Sequence, residues 1–169
     1  MESYKNKLSF VAIVKNEGPY IVEWIEFHRL VGVNKFYIYD NESSDHLQEL
    51  LKPYIESGIV VYQYCPGKNM QNVAYMDAIK KYKDESEYMG FIDIDEFVVP
   101  REGENLGDIV DDILNQSEGA SGVAINWRIF GSNGYEKKPN GLVIENYKYR
   151  AADDFGANKH IKTICDLEK

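Results

Sequence analysis

Asp93 and Asp95 stand two residues apart, directly after the apolar run Tyr88–Ile92, and Glu96 follows them. On a strand, residues two apart point to the same face. Two carboxylates at the C-terminal end of a strand meet in the crevice where open α/β sheets bind ligands. Their hard oxygens suit Mg²⁺ or Mn²⁺. A cation held there would bridge a diphosphate and neutralise charge on a departing nucleotide. An Asp-x-Asp triplet is common by chance, so its place at the end of a fourth strand carries the argument. Glu96 reads equally as a third ligand and as a solvated neighbour or salt-bridge partner.

Two more polar clusters follow apolar runs in the same way. The segment Asp40-Asn41-Glu42-Ser43-Ser44-Asp45 comes after the β-forming run 35–39. In one reading it is a capped turn, with Ser44 or Asp45 capping the next helix and Asn41 in left-handed geometry. In the other, Asp40 accepts hydrogen bonds from a base or ribose; both can hold at once. Lys15-Asn16-Glu17, after the run 8–14, is either a polar turn before a helix or a third contribution to the same edge. The convergence of three such loops is the argument, because no single one is specific.

These groups need a scaffold, and the periodicity supplies one. The spacing predicts strands over 8–14, 35–39, 59–64 and 88–92. Helices are predicted between them, over 20–31, 45–56 and 70–82. The second puts Leu47, Leu50, Leu51 and Tyr54 on one face, and Pro53 leaves its end open. The third carries Val73, Met76, Ala78 and Ile79 as its apolar positions. Gly32 suits the stop of the first helix. Strand and helix alternate, so the fold class is α/β, with a mostly parallel sheet flanked by helices. Past Pro100 the pattern is mixed. A short helix is expected over 106–115, strands over 122–128, 142–150 and 161–165, and loops over 131–141 and 151–160. No repeat, low-complexity tract or interior linker divides the chain. One domain over 1–169 is expected, with residues 8–100 as one half and 101–169 as the other.

The 169 residues are enough to bury a core without a disulfide or metal. A net charge of −9 excludes a sequence-independent nucleic-acid binder, which needs a basic face. The thirteen tyrosines suit stacking on sugars or packing about a sheet edge. Cys65 and Cys165 read as reduced thiols. No apolar run reaches membrane-span length, and the polar start Met1–Lys7 lacks a secretory h-region. The expected location is therefore cytoplasmic, with peripheral membrane association open.

The order of motifs resembles a known family. Val11 to Glu17, Trp24, His28, Gly32-Val33 and Tyr39 to Asp45 look like the opening of GT-A-fold glycosyltransferases. They are similar to family 2 broadly and to family 92 more closely. Gln71 to Tyr75, Phe91 to Phe97, Trp127, Phe130-Gly131-Ser132 with Gly134, Glu145-Asn146-Tyr147 and Lys162-Thr163-Ile164 look like the family 92 core. The resemblance covers nearly the whole chain. It implies a Rossmann-like GT-A fold, a nucleotide-sugar donor (often a UDP-sugar) and Mn²⁺ or Mg²⁺. By it, Asp93 and Asp95 hold metal and diphosphate. Asp40 contacts the base, with Asn16, Glu17 and Asn41 beside it, and Gln71 lies near the nucleotide. Trp127, Phe130 and Ser132 shape the acceptor side, for a glycan or lipid-linked sugar, with polysaccharide assembly as a setting. Relatives continue beyond Lys162-Thr163-Ile164 into further helices, so the chain reads as C-terminally truncated. Inversion at the anomeric carbon is implied. A carboxylate base would deprotonate the acceptor hydroxyl, and the candidates are Glu145, Asp153 and Asp154. Each reads alternatively as an exposed charge on a strand or loop. His28 and His160 are weaker candidates, and His28 reads as a packing residue.

Three competing classes remain. A nucleotidyltransferase would carry a Gly-rich basic loop near the first strand, which residues 8–20 lack. A binding module would hold donor without turnover. A response-regulator-like domain would place its acidic residues early, whereas the pair here follows the fourth strand.

Overall fold

The apolar runs of the first half pair into one sheet, as their alternation with helices requires. The computed structural model describes residues 4–101 and 103–169; Met1–Ser3, the start of the polar N-terminal stretch, lie outside the described residues. In chain order the elements are β1 (Asn6–Val14), α1 (Gly18–Leu30), β2 (Lys35–Asp40), α2 (Leu47–Glu56), β3 (Val60–Tyr64), α3 (Gln71–Tyr82) and β4 (Ser86–Phe91). They continue as α4 (Leu106–Asn115), β5 (Gly122–Asn126), α5 (Val143–Asn146) and β6 (Ile161–Asp166). The six-stranded sheet has the order β3-β2-β1-β4-β6-β5. β1 pairs in parallel with both β2 and β4, and β3 with β2, whereas β6 runs antiparallel to β4. The fold is α/β, mostly parallel, with helices flanking the sheet.

The period of two along β1 sends its side chains to two different cores. Phe10 meets Trp24 and His28 of α1, at ring-centroid distances of 6.1 and 4.9 Å. Its neighbour Val11 lies in a cluster with Tyr37, Tyr39, Cys65, Met89 and the α3 residues Ala74 and Ala78. A Cβ added at Gly90 of β4 would sit 2.7 Å from the Phe10 ring, so that position admits only hydrogen. α1 opens with Pro19 in its first turn, where the missing N–H costs nothing. It closes at Gly32, whose φ of +105° suits glycine. There the N–H groups of Gly32 and Val33 donate to the carbonyls of Arg29 and His28, at 3.2 and 2.9 Å.

Several local expectations change. α2 keeps its expected end at Glu56 despite Pro53, but of its expected apolar face Leu47 and Leu51 are buried while Leu50 is exposed. α3 buries its small residues Ala74 and Ala78, leaving Val73 and Met76 exposed; the close approach to the sheet favours small side chains there. The left-handed positions in the first two loops are Asn16 and Glu42, with φ of 58° and 61°, not Asn41. Residues 142–150 do not form a strand. They hold the four-residue helix α5, and the one pairing among them is the isolated bridge Phe130↔Arg150.

The chain resolves into two compact units, residues up to Val123 with Thr163–Lys169, and Ala124–Lys162. The first contains the layered core described above. The second is organised by asparagines. Buried Asn158 accepts from the Ile129 N–H through Oδ1 at 3.0 Å and donates through Nδ2 to the Ala152 carbonyl at 2.9 Å. Asn133, at φ 53°, donates to the Asn146 carbonyl at 2.9 Å and accepts from the Tyr149 N–H at 3.2 Å. Side-chain amides thus satisfy backbone groups that a sheet ladder would otherwise pair.

Candidate functional site

The strand order reverses at β1. The chain adds β2 and β3 on one side of it, then returns to place β4 on the other. Such switch points open a crevice at the C-terminal ends of the strands, where α/β sheets bind ligands. The loop after β1 carries Asn16 and Glu17, and the segment after β4 carries Asp93, Asp95 and Glu96.

β4 ends at Phe91, so the acidic residues occupy a turn rather than the strand. Same-face alternation therefore does not apply to Asp93 and Asp95. The turn achieves the convergence differently: the Glu96 N–H donates to the Asp93 carbonyl at 3.1 Å. Glu96 returns a carboxylate oxygen to the Asp93 N–H at 3.0 Å. One ligand atom each from Asp93, Asp95 and Glu96 then lies within 4.8 Å of the others. Three hard oxygen donors at that spacing fit a divalent cation such as Mg²⁺ or Mn²⁺. Glu96 is thus both a closing element of the turn and a member of the acidic group.

α1 fixes this turn from beneath. The Trp24 indole N–H donates to the carbonyls of Asp93 and Glu96, at 3.0 and 2.9 Å. The Val98 N–H donates to His28 Nε2 at 3.0 Å, so Nδ1 carries the proton and donates to the Trp24 carbonyl at 2.9 Å. Burial lowers the His28 pKa to about 3, which keeps the ring neutral. His28 is a hydrogen-bonded packing residue. Trp24 and His28 sit at i and i+4, on one helix face, and that spacing was the readable signal of their shared task.

The first two loops are stitched together. The Asn16 N–H donates to Ser43 Oγ at 2.9 Å, and Asn16 Oδ1 accepts from the Ser44 N–H at 2.8 Å. Asp45 accepts from the Gly18 N–H at 2.8 Å and from the Leu47 N–H at 3.1 Å. One carboxylate therefore serves the starts of both α1 and α2, although His46 is the N-cap residue of α2. Ser44 does not cap it. Glu17 has its carboxyl pKa raised, first by burial and then by the charges of Asp95 and Asp45. Glu17 on the β1 loop thus feels the charge of Asp95 in the acidic turn.

Asp40 is buried. One of its oxygens accepts from the Ser43 N–H at 2.8 Å, the other from the Tyr62 hydroxyl at 2.6 Å. Asn41 donates to the carbonyls of Cys65 and Gly67, both at 2.8 Å, which ties the β2 loop to the β3 loop. Gln71 is exposed at the first turn of α3, and its amide donates to the Tyr75 hydroxyl at 3.1 Å. Within this unit hydrogen bonds join the loops that carry Asn16, Asp40 and Asn41, while the turn that carries Asp93 and Asp95 is tied to α1 and α3 and acts on Glu17 through its charge. Tyr62, Ser43 and Tyr75 support them; Ser43 and Tyr75 stand inside segments the sequence singled out, without a role of their own there, and Tyr62 stands outside them all.

In the second unit, Trp127 stacks on His160 at 4.9 Å between centroids, with the Lys162 ammonium 5.8 Å from its ring. Phe130 and Ser132 are exposed. Glu145 lies exposed on α5, a helix rather than the strand expected there. Asp153 is paired with Arg150, and with Arg128 at 3.9 Å; the Arg150 hydrogen bond and charge lower its pKa. Asp154 is exposed. Cys65 and Cys165 are both free thiols. Among the described residues, no helix is long and apolar enough to cross a membrane.

Comparison with known proteins agrees with this architecture. A glycosyltransferase family 92 protein of Ricinus communis is 25% identical over 146 residues, covering 86% of this chain and 26% of that one. One of Oryza sativa subsp. japonica is 30% identical over 142 residues, 83% of this chain and 24% of its own. The chain thus spans about a quarter of the length of these curated relatives. Among solved structures, S. aureus TarS superposes with a TM-score of 0.52 at 16% identity, over 79% of this chain and 23% of TarS. TarS 1-349 in complex with UDP gives 0.51 at 17%, over 78% and 38%. That likeness is one of fold. The profile of glycosyltransferase family 92 matches residues 12–169, and the chain belongs to that family.

Proposed function

We propose that this chain forms the donor-binding part of a glycosyltransferase that moves a sugar from a nucleotide sugar to a glycan or lipid-linked acceptor. The observation that carries the reading is the acidic turn, Asp93, Asp95 and Glu96, beside the β1–β4 switch point. Asp93 and Asp95 would hold Mn²⁺ or Mg²⁺, with Glu96 closing the turn. The bound cation neutralises charge on the departing nucleoside diphosphate. Asn16 and Glu17 border the site from the β1 loop, and Asp40 and Asn41 shape its nucleotide side from the β2 loop. α3 opens without a side-chain cap and with no acidic residue in its first turn, a helix end that favours anions. The TarS likeness makes UDP the first nucleotide to test.

Transfer also needs a base for the acceptor hydroxyl. Asp153 is the poorest of the three candidates, because Arg150 holds its carboxylate in the charged, weakly basic form. Glu145 and Asp154 remain, with Trp127, Phe130 and Ser132 forming the acceptor side. We assign inversion to the reaction and polysaccharide assembly to its setting, both on family likeness.

Calorimetric titration of UDP with and without Mn²⁺ tests the donor site. Binding is expected with the metal and not without it. Asp95→Ala is expected to abolish that binding while leaving the melting temperature unchanged, since Asp95 is exposed. Unaltered affinity in the variant would remove Asp95 from the site. Binding without product formation, across UDP-sugars and acceptors, would mark a donor-binding module instead.

A further inference from the structure

Tyrosines throughout the first unit donate to carboxylates. Tyr37 bonds Glu85, Tyr39 bonds Asp77, Tyr54 bonds Glu26 and Tyr62 bonds Asp40, at 3.1, 2.8, 2.7 and 2.6 Å. One member of this set touches the acidic turn. The Tyr75 hydroxyl lies 3.3 Å from Asp93 Oδ1, and Gln71 Nε2 lies 3.1 Å behind it. An ionised carboxylate only accepts. The hydroxyl proton therefore points at Asp93, and the phenolic oxygen accepts from the Gln71 amide. Gln71 and Tyr75 are four apart on α3, which aligns them on one face. The ring is held separately, against Phe91 at 4.8 Å between centroids.

We propose that Tyr75 is a positioning residue, oriented by Gln71, that holds the Asp93 carboxylate in its metal-binding direction. The inference rests on the acidic turn being the metal site. Asp93 lies on a turn whose backbone carbonyl is held by Trp24, and the Tyr75 hydroxyl adds a contact at the carboxylate itself. Hydrogen-bond partners of ligating carboxylates act in this way at metal sites generally. Gln71 then reaches the donor site through Tyr75 as well as through any direct contact.

The test uses the whole chain and Mn²⁺ alone, with free Mn²⁺ followed by electron paramagnetic resonance and the melting temperature measured without metal. Tyr75→Phe keeps the ring on Phe91 and removes only the hydroxyl. It is expected to weaken Mn²⁺ affinity about tenfold with the melting temperature unchanged. Tyr39→Phe removes the same kind of bond from the same helix, at Asp77, away from the turn. It is expected to lower the melting temperature and leave Mn²⁺ affinity alone. Equal Mn²⁺ affinity in wild type and Tyr75→Phe would overturn the positioning role while the metal site stands. Failure of the folded wild type to bind Mn²⁺ would overturn the metal site and the role together.

Discussion

His28 stays neutral well below the ordinary imidazole range, because burial has lowered its pKa to about 3 from an ordinary 6.5. Between those values the unfolded chain binds a proton that the folded chain does not. The His28 contribution is therefore complete above pH 6.5 and is lost as pH falls towards 3, at up to about 1.4 kcal/mol per pH unit. Stability of the wild type and of His28→Gln should be compared at pH 7.5 and 4.5 by urea unfolding. The wild type is expected to lose more between the two, since carboxylate effects are common to both. Equal losses would mean that His28 does not titrate on unfolding. At this scale the sequence was informative about residue types and less so about geometry. Asp93 and Asp95 were legible as a pair, but their turn was not: it depends on Glu96 reaching back to the Asp93 N–H and on the Trp24 indole beneath.

Elements were legible where hydrophobic period and propensity agreed. The expected helix over 106–115 is α4 without a change of bounds. The runs 8–14 and 35–39 lie within β1 and β2. The miss at 142–150 has a physical cause. Its β-forming residues have strand character but find almost no ladder, and asparagine amides satisfy the backbone instead. Asn158 is the buried member of that set, and its removal leaves the Ile129 N–H and the Ala152 carbonyl without it. Asn158→Ala is expected to destabilise the second unit by about 1–3 kcal/mol. Faster hydrogen exchange at the Ile129 amide, with the β1 amides unaffected, is the readout. Unchanged exchange there would assign the unit's order to other contacts.

For the whole molecule, ligand binding and stability are linked. If the switch-point loops form the donor site, UDP and Mn²⁺ together should raise the melting temperature more than either alone. At about a hundred times the dissociation constant the gain is about 2.7 kcal/mol. The scan also separates site from scaffold, because Asp95→Ala should melt like the wild type without ligand and show no gain with it. The sequence by itself determined the alternation of strands and helices, and with it the parallel sheet. It also placed polar loops at the C-terminal ends of the strands, since period and turn chemistry are local properties. Only the tertiary structure decided that β4 returns beside β1, that one Asp45 serves two helix starts, and that Trp24, His28 and Tyr75 converge on the acidic turn. Those are pairings between residues distant in the chain, and they are chosen by how the buried faces pack rather than by any pattern within a segment.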